Sequence, residues 1–249
     1  MPAAAPTAAA LRREIRRLAD PQAAEFLQRF FKTGRGEYAH GDRFLGIRVP
    51  VLRRLAREYR TIPRDKAVAL LRSRWHEERL VALIILAAQY RRGDQAERDA
   101  IYRAYLANTR HINNWDLVDL SAEHIVGAHI DPARPVVLER LARSESLWER
   151  RIAILSTFHW IKQGIHGPTL GIAAMLVQDP HDLIHKAVGW MLREVGKRDL
   201  AQEEAFLRQH CRIMPRTMLR YAIEKFPERR RRQYLARTGV RRGGAHDGH

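Results

Sequence analysis

The sequence predicts an all-α fold, an α-solenoid of stacked antiparallel helix pairs, on three observations. Apolar residues recur three and four apart along most of the chain, strand-like alternation is nearly absent, and similar turns return at near-constant separation. Those turns centre on Arg79 in HEERLVAL, Trp115 in NNWDLVDL, Arg151 in WERRIAIL, Lys186 in IHKAVGWML and Arg220 in TMLRYAI, at steps of 36, 36, 35 and 34 residues. A two-helix unit of that length cannot bury its apolar face alone, so successive units must stack. That is the HEAT-like arrangement, and it predicts a curved chain with a basic concave face.

Taken in order, the helical spacing covers 11–18, 24–31, 51–59, 66–71, 79–90, 97–106 and 117–126 in the first half. It continues over 135–141, 148–161, 170–176, 183–195, 203–210 and 218–226. Pro50, Pro63, Pro135, Pro168 and Pro180 stand near starts, and Gly93, Gly127, Gly164 and Gly196 near ends. Connections are short, so neighbours pack antiparallel. The exception is the glycine-rich segment 32–46 with Tyr38 and Asp42, the longest irregular stretch of the body, and such loops often carry function.

Composition narrows the function classes. Forty-five basic residues against 28 acidic ones leave a formal charge of +17, which makes a polyanion the first partner to consider. The single cysteine, Cys211, excludes a disulfide framework or a Cys-rich zinc site and fits a reducing compartment, where it reads as a buried or inert thiol. The longest apolar run, 80–88, is too short for a membrane span. The expectation is a soluble, cytoplasmic protein with one domain over 1–236. The Ala/Pro-rich start lacks the apolar centre of a secretory signal, so 1–10 reads as frayed, with a transit peptide as the alternative. The segment 237–249 reads as a disordered basic tail, and the run Arg229 to Arg232 as solvated charge that adds nonspecific DNA affinity.

Three segments concentrate candidate chemistry. In INNWDLVDLSAEHIV, Asn113 or Asn114 suits an N-cap, Trp115 and Asp119 are four apart and share a helix face, and Asp116 suits the positive helix end. The plainer reading puts Trp115 in the core and pairs Asp119 with an arginine. In LWERRIAIL, Arg150 and Arg151 are adjacent and point in different directions, so one role cannot belong to both; as surface ion pairs they have little energetic value. In LIHKAVGWMLREVGK, Trp190 shares a face with Arg193, and by itself is as well read as a core residue. His181 and His185 have the spacing of a metal pair but no third ligand, so no metal site is assigned.

At these segments the chain resembles the DNA alkylation repair glycosylases of the AlkD type, built from HEAT-like repeats. The resemblance runs through FFKTGRGEY and GDRFLGIRVP, NNWDLVD, WERRIAIL, HKAVGWMLRE and MLRYAIEKF, in order, from about Ala24 to Phe226. It implies that the family's catalytic carboxylate falls on Asp119, its two lesion-flanking tryptophans on Trp115 and Trp190, and its phosphate-contacting arginine on Arg151. Segment 32–46 is longer than in some family members, so no aromatic contact is carried over to Tyr38 or Phe31. Some relatives lack the carboxylate; this chain keeps an aspartate.

The implied function is removal of N3- or N7-alkylated purines, such as 7-methylguanine and 3-methyladenine, from double-stranded DNA in base-excision repair. The implied worker is a monomer in the cytoplasm, associated with the nucleoid, with no small-molecule cofactor, metal or membrane. The alternatives are a noncatalytic HEAT-repeat protein that recognises distorted or branched DNA, and a scaffold for a protein partner.

Overall fold

The structure, a computed structural model, describes residues 6–237. Regular structure among them is helical throughout, with one isolated bridge between Arg43 and Trp75. They form two compact units, one within Met1–His129 and one within Ile130–His249, where the sequence reads one domain over 1–236.

The first unit contains α1 (Ala8–Arg17), α2 (Pro21–Phe30), α3 (Val49–Glu58), α4 (Arg64–Leu71), α5 (His76–Arg92), α6 (Gln95–Leu106) and α7 (Trp115–Asp119). At its centre α5 packs on α3, α4, α6 and α7, and Leu80, Val81, Leu83, Ile85 and Leu86 are buried in its core. Each such side chain contributes about 1.5–3 kcal/mol of transfer free energy. Glu77, Glu78, Arg79 and His76 are buried at the start of the same helix. Glu78 receives Arg12 and Arg16 of α1, both at 3.3 Å, which fastens the first helix to the central one.

The second unit contains α8 (Val136–Ala142), α9 (Leu147–Ser156), α10 (Phe158–Ile161), α11 (Gly167–Met175), α12 (Asp182–Gly196), α13 (Leu200–His210), α14 (Arg216–Ala222) and α15 (Glu228–Arg237). Here α12 is central and packs on α9, α11, α13 and α14. Gly189 permits this: a Cβ there would stand 2.4 Å from the Met218 carbonyl oxygen of α14. In both units the second helices of successive pairs lie side by side, α3 on α5 on α7 and α9 on α12 on α14. Arg79, Trp115, Arg151, Lys186 and Arg220 all sit on these second helices, so the recurring turns mark successive HEAT-like pairs.

Several boundaries differ from the sequence reading. The frayed start expected for 1–10 lies outside the described residues over 1–5, but Thr7 caps Ala10 N–H at 3.1 Å and α1 begins at Ala8. The tail expected at 237–249 lies outside the described residues from 238 onward. The Arg229 to Arg232 run belongs to helix α15, with Arg230 on Glu204 at 2.8 Å and Tyr234 packed against Phe226. The helix read over 148–161 breaks at Thr157, between α9 and α10. There the Ser156 and Thr157 hydroxyls donate to the carbonyls of Ile152 and Ile154, competing with the helix ladder. Cys211 is buried and free. No helix among the described residues is long and apolar enough to cross a membrane.

Candidate functional site

Trp115 opens α7 and Asp119 closes it, so the two side chains leave the same face one turn apart. Asn114 is the cap, with extended backbone and its side-chain oxygen accepting from Trp115 N–H at 2.9 Å. The helix read over 117–126 stops after Asp119 and resumes as a π turn over Glu123–Gly127. The cause is Ser121, whose hydroxyl donates to the Leu117 carbonyl at 2.6 Å and pairs with the Tyr105 hydroxyl at 3.0 Å. Such wide turns are concentrated at functional sites. Asp119 is half-buried at this break rather than sealed in the core. Burial chiefly, and the nearby Asp119 charge in part, push the Tyr105 hydroxyl pKa up.

Beneath Trp115 lies a buried ionic network. Asp42, from segment 32–46, accepts from Arg79 at 2.7 Å, His76 Nδ1 at 2.9 Å and the Asn114 amide at 3.3 Å. His76 Nε2 reaches Asp116 at 2.8 Å. Burial works against both charged forms, but the partners prevail: His76 and Arg79 bring Asp42 down to about 2, and Asp116 and Asp42 raise His76 to about 9. Rings continue from the same histidine. Phe44 stacks on His76 at 4.4 Å, Phe31 on Phe44 at 4.8 Å, and Trp115 on Phe31 at 5.2 Å with 16° between planes.

Segment 32–46 ends under a second carboxylate. Glu77 accepts the backbone N–H groups of Leu45, Gly46 and Ile47 at 2.8–3.3 Å. Gly46 is required at that corner, because its φ is +84° and a Cβ would stand 2.2 Å from the Asp20 carbonyl oxygen. An apolar cavity of about 480 Å³ adjoins, lined by Phe26, Phe30, Phe31, Phe44 and Val49 with His76 and Asp116 at its polar side. Helix α2 has no buried residue, and its Phe26 and Phe30 are 60% and 56% exposed.

In the second unit, Arg151 is 5% exposed and donates to the Leu183 carbonyl of α12 at 2.5 Å. Arg150 reaches Asp179 at 2.6 Å, so the adjacent arginines do separate jobs. Trp190, half-buried on α12, tilts against Phe158 at 5.7 Å and donates to Glu194 at 3.3 Å. Glu194 also holds Lys197 and Arg198; burial raises its pKa, but these hydrogen bonds outweigh burial and bring it down. Among the described residues, no group of three His, Cys, Asp or Glu side chains is placed to hold a metal ion.

A family model for DNA alkylation repair enzymes matches residues 11–226. The chain belongs to that family. A solved structure of a "Predicted DNA alkylation repair enzyme from Enterococcus faecalis" shares the fold with a TM-score of 0.64 and 18% identity, over 84% of this chain and 97% of that one. No curated protein matches the chain. Family membership supports a role in repairing alkylation damage, with DNA as the partner.

For this repair protein the sequence reading singled out Trp115, Asp119, Arg151 and Trp190 as candidates and missed what surrounds them. Phe31, to which no aromatic contact was carried over, is the ring on which Trp115 stacks. Asp116, read only as a helix-end charge, is an ion-pair partner of His76. The polar trio His76, Glu77 and Glu78 at the head of an apolar helix was the available signal, since charges in such a position need partners.

Proposed function

We propose that the protein is a DNA N-glycosylase that releases cationic N3- or N7-alkylpurines from duplex DNA, working as a monomer in the cytoplasm. The observation that carries this is Asp119: a half-buried carboxylate at the end of α7, one turn beyond Trp115, in a chain whose family membership spans 11–226. An alkylpurine bearing a positive charge leaves without a general acid. The C1′–N bond breaks, its electron pair neutralises the departing base, and positive charge develops on the sugar. The Asp119 carboxylate stabilises that charge and takes the proton of the water that bonds to C1′. The Trp115 and Trp190 faces attract cationic centres by about 0.5–2 kcal/mol each. Arg151 is assigned a phosphate contact through its guanidinium donors.

The test is base release from methylated duplex DNA without added metal. Asp119→Asn is expected to lower the single-turnover rate by about 10²–10³-fold while DNA affinity changes little. Equal rates in parent and variant would remove Asp119 from the chemistry. Salt-sensitive binding with no released base in either would leave a DNA-binding protein that recognises distorted duplexes.

A further inference from the structure

The ionic network under Trp115 takes no part in the proposed chemistry, yet its geometry is specific. Both ring nitrogens of His76 face carboxylate oxygens, Asp42 at 2.9 Å and Asp116 at 2.8 Å. An ionised carboxylate only accepts, so both nitrogens donate and the bridging ring is an imidazolium. Asp42 has further support from Arg79 and from the backbone N–H of Arg43. Asp116 is held by His76 and by the Leu117 N–H at 2.9 Å. The same imidazole lies 4.4 Å from Phe44 and 5.3 Å from Phe31, and Phe31 carries Trp115. His76 therefore touches the first turn of α7 by two routes, charge to Asp116 and stacked rings to Trp115.

We propose that His76 is a positioning residue: its doubly donating ring ties the first turn of α7 to segment 32–46, and so sets the orientation of Trp115 and, one turn on, of Asp119. This rests on the reading of Trp115 and Asp119 as the working pair and adds what holds them. A neutral imidazole has one N–H, so whichever nitrogen keeps the proton, one carboxylate then faces a lone pair and the tie between loop and helix opens. The charged groups facing the ring are Asp42 from the loop and Asp116 from α7, with Arg79 of α5 behind Asp42.

The experiment uses the full chain as parent, His76→Gln and Asp116→Asn, each with and without Trp115→Phe, so that the difference in emission reports Trp115 alone. Circular dichroism checks the fold. In the parent, Trp115 emission should change with a midpoint near pH 9. In His76→Gln it should be flat with pH and already resemble the alkaline form. In Asp116→Asn, with one anion removed, the midpoint should move to lower pH. Single-turnover base release should fall about tenfold or more in His76→Gln while the Kd for DNA stays within about twofold, since misplacement costs rate more than binding. Its rate in the parent should fall across the same midpoint as the emission.

A parent emission that does not titrate, or one that titrates unchanged in His76→Gln, overturns the proposal. So does base release with the parent's rate and pH profile in both variants. Emission that titrates through His76 in a protein releasing no base supports the positioning role and sinks the glycosylase reading instead. Should His76→Gln fail to fold, Asp116→Asn decides the matter, because it leaves Asp42, His76 and Arg79 together; an unmoved midpoint there is overturning.

Discussion

The two units hold their tryptophans by different means. In the first, Trp115 rests on rings that end at a buried imidazolium between two carboxylates. In the second, Trp190 rides on a helix packed on five others, and the Glu194 carboxylate beside it is buried but held by Lys197 and Arg198, which are open to solvent. One arrangement is electrostatic and cooperative, so losing a member strands the others; the other is steric and tolerates the loss of a charge. The comparison teaches that similar side chains on the second helices of two pairs can rest on unlike foundations.

The sharpest way to break the comparison is Asp42→Ala, which removes the carboxylate that His76 and Arg79 share and leaves the buried Arg79 guanidinium without an anion and His76 with Asp116 alone. A loss of about 3–5 kcal/mol is expected in urea unfolding of the full chain. Little change would mean that the ionic network does not carry the first unit. Next in size is the steric counterpart, Gly189→Ala, whose Cβ meets backbone of α14 and forces α12 away. It should cost about 1–3 kcal/mol and shift Trp190 emission, with Trp115 emission unchanged.

Alkaline pH weakens both units, each through a different group. His76 is raised to about 9 from 6.5, so its stabilisation is full below 6.5 and is lost as pH rises through about 9. In the second unit, burial raises Glu203 to about 8 from 4.5, with Glu204 adding and Arg193 opposing. The neutral acid is the favoured folded form, so its stabilisation is full below 4.5 and is lost as pH rises through about 8. Glu203→Gln should raise the melting temperature at pH 9 relative to the parent, by about 2–4 °C for each kcal/mol recovered. An equal melting temperature there would show that Glu203 is solvated. The smallest effect is Glu194→Ala, expected within about 1 kcal/mol because its partners are exposed. A cost like that of Asp42→Ala would erase the contrast.

What the sequence made legible was whatever repeats or is local. The apolar period located the helices, and the 34–36-residue return located the second helix of each pair, because stacking demands the same face at the same place. Asn114 was readable as one of two possible caps, since capping spans a few residues. The rest lay in contacts between distant residues. His76 and Asp116 are 40 positions apart, and Asp42 and Asn114 are 72 apart, so no window joins them. The break after Asp119 escaped for another reason: the hydroxyl of Ser121 competes with the ladder, and apolar spacing does not register one hydrogen bond.

The carboxylate of Glu77 has a consequence for dynamics. It sits in α5 but accepts the N–H groups of Leu45, Gly46 and Ile47, some 30 positions earlier in the chain. Those amides belong to no helix, and their shielding from deuterium is nonetheless tied to a helix core. They should therefore exchange on the slow timescale of α5 itself rather than at the rate of an exposed loop, opening only when that part of the unit opens as a whole.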